Sequence, residues 1–300
     1  MHNHDHNHSQ ITSAPNKAFV IGIFLNLGYV VVEAVIGIST NSLALLTDAG
    51  HNLGDVAGLA ISLLAFRLAK VRSSESYTYG YKKTTILAAL LNAVILLVTV
   101  GVLGFEAIRR LHDPVPVQGG TIAWVAALGI AINGISAFLF FRNKDKELNA
   151  RGAYLHLAAD AVVSLSVVIA GVLIFYTHAY WLDPVISLVV LIVILSSTWS
   201  LLTDSFRLSV DAVPKEIDHN KIIAVIKNTN GVEDVHHVHI WAMSTMENAL
   251  TAHLVLKNDL SFAEKIKIIT EVKHQLLHNN IHHATLEMDI SEEDCKDVDC

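Results

Sequence analysis

The chain has 300 residues, of which 52% are hydrophobic and only 16% charged, with a mean hydropathy of +0.47. Soluble domains average about 25% charged residues, so the composition points to a membrane protein. The net charge of -7 argues against a nucleic-acid partner. The two cysteines, Cys295 and Cys300, stand at the C-terminal end and exclude a disulfide framework.

Residues 1–16 form a polar tail in which His2, His4, His6 and His8 alternate with Asn and Asp. Such a tract is compositionally metal-binding, and it reads equally well as a plain disordered tail. Residues 17–206 are expected to form the membrane domain. A membrane helix needs roughly 20 mainly apolar residues, and six runs qualify: Ala18–Ile38, Ser42–Phe66, Thr84–Ile108, Thr121–Phe141, Ala153–Tyr176 and Asp183–Leu202. Lys70, Arg72, Lys82 and Lys83 lie between the second and third runs, and Arg142, Lys144, Lys146 and Arg151 between the fourth and fifth. Only Arg109 and Arg110 fall on the opposite side. Basic residues collect on the cytoplasmic face, so both termini are expected there.

Residues 207–290 read as a soluble α+β domain, and residues 291–300 as a tail in which Cys295 and Cys300 read as a frayed end or as a thiolate pair. The pattern predicts a helix over Asp218–Asn228, strands over Val235–Ala242 and Ala249–Leu256, a helix over Phe262–Leu277 and a strand over Thr285–Ile290. That α-β-β-α-β order suggests a ferredoxin-like sandwich.

Ionisable residues at membrane depth are expensive and point to function. The second run carries Asp48, His51, Asn52 and Asp55; the fifth carries His156 and Asp160; the first carries Asn26 and Glu33. His51/Asp55 and His156/Asp160 share one spacing, His-x-x-x-Asp, which puts both side chains of each pair on one helical face. Two such helices offer two imidazoles and two carboxylates to one point, a set that suits tetrahedral zinc. At 1.5 Å per residue Asp55 lies roughly 18 Å from Arg67, and Asp160 roughly 14 Å from Arg151, which sets both near mid-membrane. Two carboxylates balance one divalent ion; without it, burial favours protonation, so metal and protons compete for the same groups. Asp48, one turn before His51, could orient the free ring nitrogen. For Asp48, Asn26 and Glu33 a packing role is as good a reading. The Gly50, Gly54, Gly58 stripe permits close helix approach.

At these residues the chain resembles the cation diffusion facilitator family, in its zinc-transporting branch. The resemblance rests on Ser42-Leu-Ala-Leu-Leu-Thr-Asp-Ala-Gly-His51-Asn-Leu-Gly-Asp55, on Tyr79-Gly-Tyr-Lys-Lys83 leading into Ile86-Leu-Ala-Ala-Leu-Leu-Asn92, on His156-Leu-Ala-Ala-Asp160 and on Val238-His239-Ile240-Trp241. It extends from about Lys17 to Asp289. It implies a homodimeric secondary transporter in the lipid bilayer, not an enzyme. Such a carrier exports Zn2+, with Cd2+ or Co2+ as alternatives, from the cytosol in exchange for protons. It implies a transport site of His51, Asp55, His156 and Asp160, and a regulatory site at His239, His253 and Glu287. Some members bind metal in the loop between helices 2 and 3; Tyr77 and Tyr81 stand where those members have histidines, so that site is not expected. The tail strands could bring His239 and His253 together, while His236, His237, His282 and His283 read as solvated. The expected location is a plasma membrane, in bacteria the inner one. Two rivals are an intramembrane zinc hydrolase, with Glu33 as the spare base, and a metal sensor that does not transport.

Overall fold

The computed structural model describes residues 17–141 and 148–289, and side chains from 25 to 138 and from 158 to 289. The histidine-rich N-terminal tail, Cys295, Cys300 and the His156 side chain lie outside these. Six long helices come first: α1 (Lys17–Ser39), α2 (Leu43–Ala69), α3 (Thr84–His112), α4 (Gly119–Phe141), α5 (Leu148–Thr177) and α6 (Leu182–Ser209). After them come α7 (His219–Lys227), β1 (Val232–Ala242), β2 (Asn248–Leu256), α8 (Phe262–His278) and β3 (Ile281–Asp289). The described residues fall into two compact units, one ending at Ala57 and resuming over Ile95–Ser197, the other made of Gly58–Val94 and everything from Thr198 on.

α2 and α3 are apolar enough to cross a membrane along their length, as are Gly119–Phe138 of α4, Ala158–Thr177 of α5 and all of α6. The described part of α1, Leu25–Ser39, is a shorter apolar stretch, and the whole helix has 23 residues. The six expected spans are therefore the six long helices. α2 continues through Arg67, and α3 ends on Arg109, Arg110 and His112. A helix keeps satisfying its own backbone after it leaves the hydrocarbon, and basic side chains suit its C-terminal end.

Inside the first unit the usual burial pattern is inverted. Phe105, Trp124, Tyr176 and Ile192 are exposed, as lipid-facing side chains should be, while Glu33, Asp48, Asn52, Asn133, Asp160 and Ser164 are buried. α4 packs along α5 and against α1. A Cβ on Gly119 would meet the Gly171 carbonyl oxygen at 2.5 Å, and one on Gly171 would meet the Ala123 nitrogen at 2.6 Å. These glycines are what let the α4 and α5 backbones touch. The expected glycine stripe does the same work on α3: a Cβ on Gly54 would stand 2.3 Å from Leu96. Asp183, buried at the start of α6, accepts hydrogen bonds from Ser42 Oγ (2.7 Å), Leu43 N (2.7 Å) and Ala44 N (3.2 Å). It thus caps α2 from another helix, satisfying amides that a helix start leaves unpaired.

In the second unit the C-terminal fold has the α-β-β-α-β order read from the sequence. β1 pairs antiparallel with β2, and β2 pairs parallel with β3. The core is apolar, built on Ile222, Ile226, Leu250, Leu254, Val272 and Leu276. Asp218 caps α7, and Ser261 with Glu264 forms a capping box on α8. β3 starts four residues ahead of the Thr285 expected from the sequence, because Ile281 is buried and pairs with Asn248. Lys82 forms an ion pair with Glu247, and Lys83 with Asp211.

Candidate metal centre

The first unit brings three of the four expected intramembrane ligands together. α2 presents His51 and Asp55 one turn apart, and α5 presents Asp160. His51 Nε2 lies 3.5 Å from Asp55 Oδ2 and 3.6 Å from Asp160 Oδ1. Two ligands held at about 2.0–2.2 Å on a tetrahedral ion stand roughly 3.4 Å from each other. Asp160 is buried, while His51 and Asp55 retain partial access to solvent. His156 belongs to α5 four residues before Asp160, one helical turn away.

A second group of polar residues lies beside these. Tyr29 Oη donates to Glu33 Oε1 at 2.8 Å, and Ser164 Oγ donates to Asp48 Oδ2 at 3.2 Å. Gly129 makes room for this arrangement, since a Cβ there would sit 2.3 Å from Tyr29 Oη. Glu33, the spare base that an intramembrane hydrolase would need, is engaged by Tyr29 in this group.

The C-terminal sheet holds another histidine–carboxylate cluster. Asp289 Oδ2 lies 3.0 Å from His236 Nε2 and 3.0 Å from His253 Nδ1. His253 Nε2 is 3.7 Å from Glu287 Oε2. His236, His253 and Asp289 offer ligand atoms that all fall within 4.8 Å of one another. Burial pushes the Asp289 carboxyl up, but the hydrogen bonds and charges of His253 and His236 outweigh that and hold it below the usual carboxylate range.

Of the three residues expected here, His253 and Glu287 are neighbours in register. His239 pairs with Thr251 instead, and it is His236 that stands opposite His253. The register breaks between His236 and His239, where His237 has a φ of 51°. This bulge adds a residue to β1 and re-aims the side chains beyond it. The His237 ring stacks on His253 with centroids 4.9 Å apart. In the sequence alone His236 reads as solvated and Asp289 does not stand out. Alternation along β3 puts Asp289 on the face of Glu287, so that signal is legible; the bulge is not.

Comparison with known proteins now identifies the frame around these residues. Residues 19–208 match the model of the cation efflux transmembrane domain, and residues 214–290 that of the cation efflux protein cytoplasmic domain. The chain is 35% identical to the "cadmium, cobalt and zinc/H(+)-K(+) antiporter" of Bacillus subtilis (strain 168), over 95% of this chain and 91% of that protein. It is 32% identical to the zinc transporter ZitB of Escherichia coli (strain K12), over 100% of this chain and 95% of that one. It is also 32% identical to the metal cation efflux system protein CzcD of Cupriavidus metallidurans, over 97% and 90%. Neither the family nor these relatives are enzymes. With both family domains matched in order and nearly the whole chain aligned, the protein belongs to the cation efflux, or cation diffusion facilitator, family of membrane transporters.

Proposed function

We propose that this protein exports Zn2+ from the cytosol in exchange for protons, by alternating access. The observation that carries the reading is His51 Nε2, set at ligand spacing from Asp55 of its own helix and Asp160 of another. His156, one turn before Asp160, completes the set. Two carboxylates and two neutral imidazoles neutralise one divalent ion. Once the ion leaves, the same groups take protons, because two bare anions in a poorly solvated bundle are costly. The names of the relatives support zinc, with cadmium and cobalt as alternatives, and the Bacillus protein's name supports protons as the counter-substrate.

The carrier works as a homodimer joined through its C-terminal domain, in a bacterial inner membrane with both termini in the cytoplasm. The excess of basic residues between α2 and α3 and between α4 and α5 supports that orientation. His236, His253 and Asp289, with Glu287 alongside, form a cytoplasmic metal site that reports zinc to the carrier; His239 stands outside it. The proposed domain limits are 17–206 for the membrane part and 207–290 for the cytoplasmic part.

The test is zinc uptake into proteoliposomes with an acidic interior. Wild type should accumulate zinc, and Asp55→Ala or Asp160→Ala should not. Wild-type flux in either variant would sink the site. His51→Asp should relax selectivity toward other divalent ions, and unchanged selectivity would remove His51 as the filter.

A further inference from the structure

α8 carries two histidines that neither metal cluster uses, His274 and His278. They are four residues apart, so they leave the helix one turn apart on one face. The helix beneath them is firmly held. Ser261 and Glu264 close a capping box at its start, and its 17 residues include no Gly or Pro. Its buried stripe is Ile268, Val272 and Leu276. At about 3.6 residues per turn, residues 274 and 278 fall on the side away from Val272 and Leu276. Both histidines are exposed. Packing thus fixes the helix and leaves these two side chains in water.

The two rings already meet. Their centroids are 4.6 Å apart and their planes stand at 85°. Two imidazoles bound through nitrogen at about 2.0–2.1 Å to one tetrahedral ion hold their ring centres roughly 5 Å apart. An ion can therefore take the pair through small side-chain rotations, with the backbone unmoved. Glu271, one turn earlier on the same face, accepts a hydrogen bond from Gln275 Nε2 at 3.0 Å and is engaged there.

The pair is separate from the sheet cluster. Leu250, Ala252 and Leu254 of β2 share one core with Val272 and Leu276 of α8. Successive strand side chains alternate, so His253 lies on the opposite face of the sheet. The α8 helix and the sheet itself stand between His253 and the pair, a separation of at least about 10 Å from the width of a helix alone.

We propose that His274 and His278 form a further metal site on the surface of the C-terminal domain, one that chelates a divalent cation of the zinc class. Imidazole suits zinc, copper and nickel, whereas magnesium and calcium take oxygen ligands. Two protein ligands leave the other positions of the ion to water, so the site takes up and releases metal more readily than a closed four-ligand site. It depends on the surface of α8 alone and holds whether or not the carrier exchanges zinc for protons.

The experiment is histidine footprinting with diethyl pyrocarbonate on the full-length protein in detergent, titrated with zinc and read residue by residue by mass spectrometry. The unprotonated ring nitrogen reacts with the reagent, and the same lone pair binds metal. Zinc should protect His274 and His278 together, with one midpoint. In His278→Ala the zinc concentration that half-protects His274 should rise by at least about 100-fold, the gain that two linked contacts have over one. His274→Ala should do the same to His278. Both side chains are exposed, so these variants keep the fold. His253→Ala should leave the protection unchanged, and magnesium should protect neither ring. Zinc that leaves both rings reactive overturns the proposal. So does protection of His274 that survives in His278→Ala, which would mean burial against another surface. Loss of protection in His253→Ala also overturns it, because the effect would then belong to the sheet cluster.

Discussion

His51 in α2 and His253 in β2 each stand beside two carboxylates, yet the two clusters are built differently. Around His51 the carboxylates come from two helices and sit 3.5 and 3.6 Å away, the separation that ligands keep on a tetrahedral ion. Around His253 the sheet has drawn Asp289 in to 3.0 Å, where it bonds to His236 as well, with Glu287 at 3.7 Å. Metal entering the membrane cluster neutralises groups that hydrocarbon makes costly. Metal entering the sheet cluster must first replace hydrogen bonds that are already made, beside water. The first arrangement suits a cargo that is taken up and passed on with a change of protonation. Under the proposed orientation, the second suits an ion that is held or lost as the cytosolic level changes.

The contrast is most exposed to test at the membrane cluster. Asp160→Ala should lower zinc flux by more than about 100-fold, a larger loss than an outer-shell change brings. His253→Ala should leave flux within a few-fold at saturating zinc, while removing one binding event from a zinc titration of the Asp160→Ala protein. Equal losses of flux from both would erase the distinction between cargo site and reporting site.

Smaller effects refine it. Asp183→Ala uncaps α2, the helix that carries His51 and Asp55. Three donors then lose their acceptor, and stability should fall by roughly 2–4 kcal/mol, read as a lower apparent Tm in detergent. Asp183→Asn, which still accepts, should fall less. At the sheet cluster the sign of the pH dependence comes from Asp289, whose folded pKa is depressed. Its contribution is in full force above the unfolded carboxylate value of about 3.9 and fades as pH falls through the folded value. Hydrogen exchange of β2 and β3 amides should therefore differ between wild type and Asp289→Asn by a constant amount at neutral pH, and converge in acid. The smallest expected change is in Gly129→Ala, where the new methyl must push Tyr29 off Glu33. Zinc affinity should hold within about threefold, because no ligand is touched and the strain of a small-to-large change is modest.

Six spans, their order and the two His-x-x-x-Asp pairs are legible in the sequence because membrane helices declare themselves through long apolar runs, against which each ionisable residue stands out. The cytoplasmic fold is legible in outline, since alternation and helical periodicity survive in its strands and helices. His236 escapes such a reading because the two-residue period that places a strand side chain fails at a bulge, and His237, with its φ of 51°, sits in one. Asp183 reads only as the start of a span. Its carboxylate's partners lie about 140 residues away in sequence, and no local pattern encodes such a distance.

Sequence is enough to say which helices are dear to bury and which residues make them so, because the cost of a charge in hydrocarbon does not depend on the fold. Which of those residues meet is a matter of tertiary structure. It sets His51 against Asp160, Tyr29 against Glu33 and His236 against Asp289, because the rotation of each helix and the slip of each strand are fixed by packing, by glycine contacts and by a bulge. Pairing converts a set of expensive side chains into candidate places for a metal.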